Sequence, residues 1–96
     1  MSTYTLAQIK IHNRDTYAKY EAGFMEIFSQ YKGRVLAVDE APTVVEGDWP
    51  YTRTVIVEFP SQDEANAWFR SDAYQALARY RHEAADSDIA FIQGIG

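Results

Sequence analysis

The sequence predicts an α+β fold of the ferredoxin-like type: four antiparallel strands in one sheet, helices on one face, in the order β-α-β-β-α-β. Three observations predict it. Strand-like alternation occurs at both ends and in the middle of the chain, and two stretches carry apolar residues stepping by three and four. The third is the length of 96 residues, which suits one domain spanning 1–96 but buries only about 60–65% of the unfolded chain's surface. Further burial by self-association would therefore be useful.

Tyr4 to Ile11 reads as the first strand, with Ala7, Ile9 and Ile11 on one parity and Tyr4, Leu6, Gln8 and Lys10 on the other. Asn13 then suits the cap of a helix whose stripe is Tyr17, Tyr20, Phe24, Ile27, Phe28 and Tyr31. Gly33 follows as its expected C-terminal cap. Arg34 to Glu40 reads as a second strand. Ala41 to Tyr51 is a long connection with a short β-like piece at Thr43 to Glu46, and Arg53 to Phe59 is a third strand. After Pro60, Ser61 and Glu64 have capping-box spacing, so a helix is expected there with Ala65, Trp68 and Phe69 inward. Ser71-Asp72 interrupts it. A second helical stretch from Ala73 to Ala85 places Tyr74, Leu77, Ala78 and Arg81 on one face, and Ile89 to Ile95 alternates as the last strand.

Composition excludes several function classes. With no cysteine there is no disulfide framework, thiolate nucleophile or cysteine-type zinc site. Fourteen acidic against nine basic residues, net −5, would repel a phosphate backbone, and no basic run offsets this. The strand "RTVIVEF" echoes the third-strand signature of the RNA recognition motif, but Thr54, Val55, Ile56 and Val57 stand where glycine and stacking aromatics are needed. Nucleic acid is not an expected partner. No apolar run approaches the roughly 20 residues of a membrane span, and Met1-Ser2-Thr3-Tyr4 lacks the basic start and apolar stretch of a secretory signal. A soluble, cytoplasmic protein is the expectation. Two isolated histidines do not make a metal or haem site, so no metal or cofactor is expected.

On the third strand Val55, Val57 and Phe59 are the parity expected to meet the helices, leaving Thr54, Ile56 and Glu58 on the open side. That open face, with Tyr4, Leu6, Gln8 and Lys10, is too apolar for water and too polar for a dry core. It suits two sheets closing on each other around a wet cavity.

The runs "YKGRVLAV", "VVEGDW", "RTVIVEFPS" and "ANAWFRSDAYQALARYR" closely resemble the family called domain of unknown function 1330. The resemblance covers nearly the whole chain. It rests on Glu46-Gly47, Arg53, Glu58-Phe59-Pro60-Ser61, Ala67-Trp68, Ser71, Tyr74-Gln75 and Arg81. The chain departs from the pattern at Lys32-Gly33, where two glycines are usual, and at His12, where an acidic residue would stand. The resemblance implies a dimeric α/β barrel, a homodimer with sheets face to face, and no assigned reaction. Superfamily relatives include cofactor-free oxygenases, lactone isomerases and haem-binding proteins, a kinship of fold rather than chemistry.

Glu58 is the candidate catalytic group. Enclosed on the sheet face, its pKa would rise by desolvation, as a general acid or base needs. The competing assignment, which the pattern favours, is an ion pair with Lys10, Arg34 or Arg53. Arg53 and Glu58 differ in parity and do not form one site within a chain; Arg53 is expected to anchor Glu46 or Asp48 of the neighbouring loop, or a ligand carboxylate. His12 is expected near Thr54, roughly 13 Å from Glu58 at about 3.3 Å per residue, and His82 at the surface near a helix end. Arg34, Glu46, Arg53, Trp68, Ser71, Tyr74 and Arg81 are candidate pocket residues. Because Trp68, Ser71, Tyr74 and Arg81 match the family pattern, a pocket between the second helix and the sheet is an alternative; a helix cap for Ser71, and for Tyr74 and Arg81 a tie of the helix to the sheet or the partner chain, are the preferred roles. Trp49 and Tyr51 are expected at the dimer interface. The sequence thus points to a small homodimer binding a small organic molecule in a sheet-side cavity, with cofactor-free acid/base chemistry as an extension. A non-catalytic carrier or interaction module is the alternative.

Overall fold

The computed structural model describes residues 1–96. The chain runs β1 (Thr3–Ile11), α1 (Arg14–Phe28), β2 (Arg34–Asp39), β3 (Arg53–Phe59), α2 (Gln62–Phe69), α3 (Asp72–Ala84) and β4 (Ala85–Gln93). The sheet order is β2-β3-β1-β4, all neighbours antiparallel. This is the expected ferredoxin-like arrangement, with the second helical region split in two. No helix is long and apolar enough to cross a membrane.

Each helix begins where a side chain accepts an orphan amide. Asn13 accepts from Thr16 N at 3.1 Å, Ser61 from Glu64 N at 3.2 Å and Ser71 from Tyr74 N at 3.1 Å. Ser71 also donates to the Trp68 carbonyl at 2.8 Å, so one residue ends α2 and starts α3. Its role is the cap.

Three local expectations are corrected. The segment 43–46 is not a strand; with no partner strand, its β-prone residues have no ladder to join. The last strand starts at Ala85, four residues earlier than expected, and ends at Gln93, because Lys10 and Ile11 of β1 extend the pairing to Asp86 and Ala85. Gly33 is not the cap of α1, which ends at Phe28 with Ser29 in a right-handed helical conformation. Gly47 alone has a positive φ, 85°. Gly33 is needed for space instead: a β-carbon there would lie 2.6 Å from the Phe59 ring and 2.7 Å from that of Phe28.

Two chain reversals meet at one carbonyl. α3 passes into β4 with no residue between Ala84 and Ala85, and the Ala84 carbonyl accepts the amides of His12 and Asn13 at 2.9 and 3.1 Å.

The helix-facing parity is as expected, with Phe59 and Val57 buried. The core is aromatic. Trp68 stacks on Phe59 with ring centres 5.5 Å apart, meets Phe28 edge-on at 5.5 Å and lies 4.5 Å from Tyr74. Such rings carry most of the burial in so small a chain. On the other face, Tyr51 and Trp49 lie against the sheet: Tyr51 Oη donates to Asp88 at 2.6 Å and Trp49 Nε1 donates to Thr54 at 3.1 Å. Asp88 is on β4 and Thr54 on β3, so the 40–52 connection reaches across the end of β1.

Candidate functional site

A cavity of about 320 Å³ lies between the sheet and the helices. Its floor is small: Thr5 and Ala7 of β1, with Val55 and Val57 of β3 beside them. Its roof is large, with Tyr17, Tyr20 and Phe24 from α1, Trp68 and Phe69 from α2, and Tyr74 from α3. Rigid rings spanning helices cannot collapse onto two short side chains, and the difference in reach leaves the space. Met25, Val35 and Val38 also line it yet are 57%, 39% and 47% exposed. The cavity therefore opens between α1 and the edge strand β2.

The polar groups on this lining are few. Tyr20 and Tyr74 hydroxyls bond each other at 2.8 Å. One hydroxyl hydrogen is used between them; the other phenol keeps its own to donate. Burial pushes the Tyr20 phenol well above its ordinary pKa of 10.0, reinforced by Tyr74, and burial pushes Tyr17 up to about 12 against the lowering effect of Arg53. These phenols stay protonated donors near neutral pH. Tyr20→Phe is expected to cost about 1 kcal/mol by orphaning Tyr74, and adding Tyr74→Phe should recover part of it. Denaturant midpoints of the three variants check this.

Arg53 enters the cavity from the start of β3, and its expected partners are corrected. It pairs with Glu21 at 3.6 Å and with Glu40, and lies 5.8 Å from the centre of the Tyr17 ring. Arg53 has the parity that faces the helices, so α1 and the first residue after β2 supply its carboxylates. Glu46 is exposed and does not reach Arg53. Arg81, 4% exposed, reaches the cavity from α3 and lies 5.8 Å from the centre of the Tyr20 ring. Of the expected pocket residues, Arg53, Trp68, Tyr74 and Arg81 come together here, while Arg34, Glu46 and Ser71 stay outside the lining.

Glu58 is not in the cavity. It stands on the open face opposite Arg34 in the β2–β3 register, and Arg34 Nε donates to its Oε1 at 2.9 Å. Hydrogen bonds from Ser2 and then Arg34 hold its carboxyl below the ordinary value of 4.5. The ion pair that the pattern favours is thus formed, with Arg34, and a cation facing the carboxylate directly favours its charged form. A group whose folded pKa is lowered stabilises the fold above its unfolded value and loses that contribution as pH falls through the folded one. Glu58→Gln should therefore lower the melting temperature at pH 7, with the difference vanishing in acid well below pH 4.5. His12 is displaced too. Gln8 faces Thr54, whereas His12 lies past the end of β1, farther from Glu58 than expected.

Sequence reasoning missed Thr5, Tyr17, Tyr20 and Glu21 as lining residues. Two signals were available: short residues on the helix-facing parity of β1, and core-stripe aromatics that carry hydroxyls where phenylalanine would fill the same space.

The family model described as domain of unknown function 1330 (DUF1330) matches residues 2–95. The chain belongs to the DUF1330 family. No curated protein sequence matches it. Solved structures share the fold of this DUF1330 protein. A protein of unknown function from Rhodopseudomonas palustris is 17% identical with a TM-score of 0.81, over 99% of this chain and 83% of that one. A cofactor-independent oxygenase from Streptomyces nogalater is 8% identical with a TM-score of 0.72, over 99% and 94%. A dimeric ferredoxin-like protein of unknown function from Thermobifida fusca is 11% identical with a TM-score of 0.72, over 98% and 92%.

Proposed function

We propose that this DUF1330 protein binds a small organic molecule in the helix-side cavity. One observation carries the reading. Five buried side-chain polar atoms have no hydrogen-bond partner, and four belong to the lining: Thr5 Oγ1, Arg53 Nε, Trp68 Nε1 and Arg81 Nε. Buried polar atoms are nearly always paired in folded proteins, and leaving one unpaired costs about 1–3 kcal/mol. Their clustering on one apolar-walled space is the pattern of a ligand site, where a few directed groups orient a largely apolar guest. The raised tyrosine pKa values support recognition by hydrogen-bond donation rather than proton exchange.

Thermal-shift screening of small organic compounds tests this. A ligand should raise the melting temperature of the natural protein and lose that effect in Ala7→Leu, which fills the floor. Equal shifts in both proteins would place binding elsewhere and overturn the reading.

A second reading, cofactor-free chemistry on the bound molecule, is supported by the shared fold of the Streptomyces nogalater oxygenase. Oxygen uptake with any screening hit, absent in Ala7→Leu, would be its sign.

The protein is further proposed to act as a homodimer. Support comes from solved structures described as dimeric, from Thermobifida fusca, Bacteroides fragilis and Jannaschia, and from the open face, where Ile92 is 46% and Trp49 37% exposed. Sedimentation velocity at micromolar concentration should give a dimer, weakened by Trp49→Ala; a monomer would overturn the assembly.

A further inference from the structure

Resting on the reading of the cavity as a ligand site, we infer that its ligand is an organic monoanion, an unsaturated or aromatic body bearing one carboxylate-type group whose charge is taken by Arg81.

The argument starts from charge. Arg81 is 4% exposed, and a guanidinium does not shed its proton when buried as an ammonium can. Its charge must be met by something. The ion pairs of the chain use Arg14, Lys32, Arg34 and Arg53, the last of them twice. No carboxylate lies within 4 Å of Arg81, and its Nε has no acceptor. Two groups offset it partly. It sits in the last turn of α3, where the helix end supplies about half a negative charge, and the Tyr20 ring presents its face at 5.8 Å. Neither accepts a hydrogen bond in the plane of the fork.

Arg53 makes the contrast within the same cavity. It reaches Glu21 and Glu40 and is therefore already matched. Glu21 is the lining's one carboxylate, against two arginines, so the cavity is locally positive inside a chain of net charge −5. At physiological salt, repulsion from the acidic surface is screened within about 8 Å, which leaves the local charge to decide.

The neighbouring groups suit the same guest. Trp68 Nε1 is a buried donor without an acceptor, and the Tyr20–Tyr74 pair has one hydroxyl hydrogen to give. These donors and the fork of Arg81 belong to one lining and suit an oxygen-rich anionic head. The remaining wall is rings, Phe24, Phe69 and the face of Trp68 among them, which favour a planar unsaturated body. The charge of the head and the rings of the wall together name the class.

Isothermal titration of the 96-residue protein with 1-naphthoate and 1-naphthamide tests it, since the two probes share one ring system and differ in charge. Naphthoate should bind at least about tenfold more tightly. Arg81→Met should reduce naphthoate to the level of naphthamide while leaving naphthamide within about threefold, and Arg81→Lys should keep part of the preference. The unliganded Arg81→Met protein should melt no lower than the natural one, because it removes an unmatched buried charge. Equal binding of both probes, or a preference that survives Arg81→Met, overturns the anion assignment and leaves the cavity reading standing. A marked fall in the melting temperature of unliganded Arg81→Met would show that a protein group already matches the charge, and overturns it too. Binding of neither probe overturns both readings.

Discussion

Trp68→Ala is expected to lower stability by about 3–5 kcal/mol, the range for removing a large aromatic from a packed core. Trp68 is 3% exposed and meets Phe24, Phe28, Phe59, Phe69 and Tyr74. Its rings join the helical layer to the sheet, and the loss is one of packing alone because its indole N–H has no acceptor. A domain of this size has about 5–15 kcal/mol in total, so a large fraction would go. The urea midpoint should fall with little change in slope. A loss under about 1 kcal/mol would mean that neighbouring rings close the gap, and would contradict the rigid roof on which the cavity depends.

Gly33→Ala is expected to cost about 1–3 kcal/mol by overpacking. The added carbon would stand 2.6 Å from the Phe59 ring and 2.7 Å from the Phe28 ring. Both rings are fixed, at 0% and 2% exposure, and Phe28 meets Phe59 edge-on at 5.8 Å. One of them must leave its rotamer or the chain must move. Gly47→Ala is the informative contrast: nothing lies within 4 Å there, and its cost comes from the positive φ alone. If Gly33→Ala proved neutral on denaturant titration, the close approach would not be what excludes a side chain.

Much of this fold was legible because it rests on local rules. Asn13, Ser61 and Ser71 cap where their side chains and spacing say they should, and the parity of Val55, Val57 and Phe59 assigns a face without reference to anything distant. Glu58 shows the limit. Its face and three candidate cations were readable, but the choice of Arg34 among them depended on a register between strands separated by the 40–52 connection. Arg53 shows the same limit: the acids nearest in sequence, Glu46 and Asp48, lost to Glu21 of α1 and to Glu40, the first residue after β2, which only the packing of these elements brings near. The inward direction of Arg81 followed from its spacing to Tyr74 and Ala78. That no carboxylate meets it could not follow, since the absence of a partner belongs to the whole tertiary arrangement. The extent of the helix-side cavity was hidden for a related reason. Periodicity says which residues face inward, but not whether their volumes fill the space between.

The direct passage from Ala84 to Ala85 sets a rule about chain length. Arg81 stands three residues before that junction, and the junction is pinned by the amides of His12 and Asn13. There is no slack. One inserted residue would turn the end of the helix by about 100° or slip β4 by one position and exchange its two faces. The phase of α3 and the register of β4 are thus one quantity, and drift in loop length, which the 40–52 connection can absorb, is closed to this corner of the chain. The group proposed to receive the ligand's charge is held in place by a count of residues rather than by a bond.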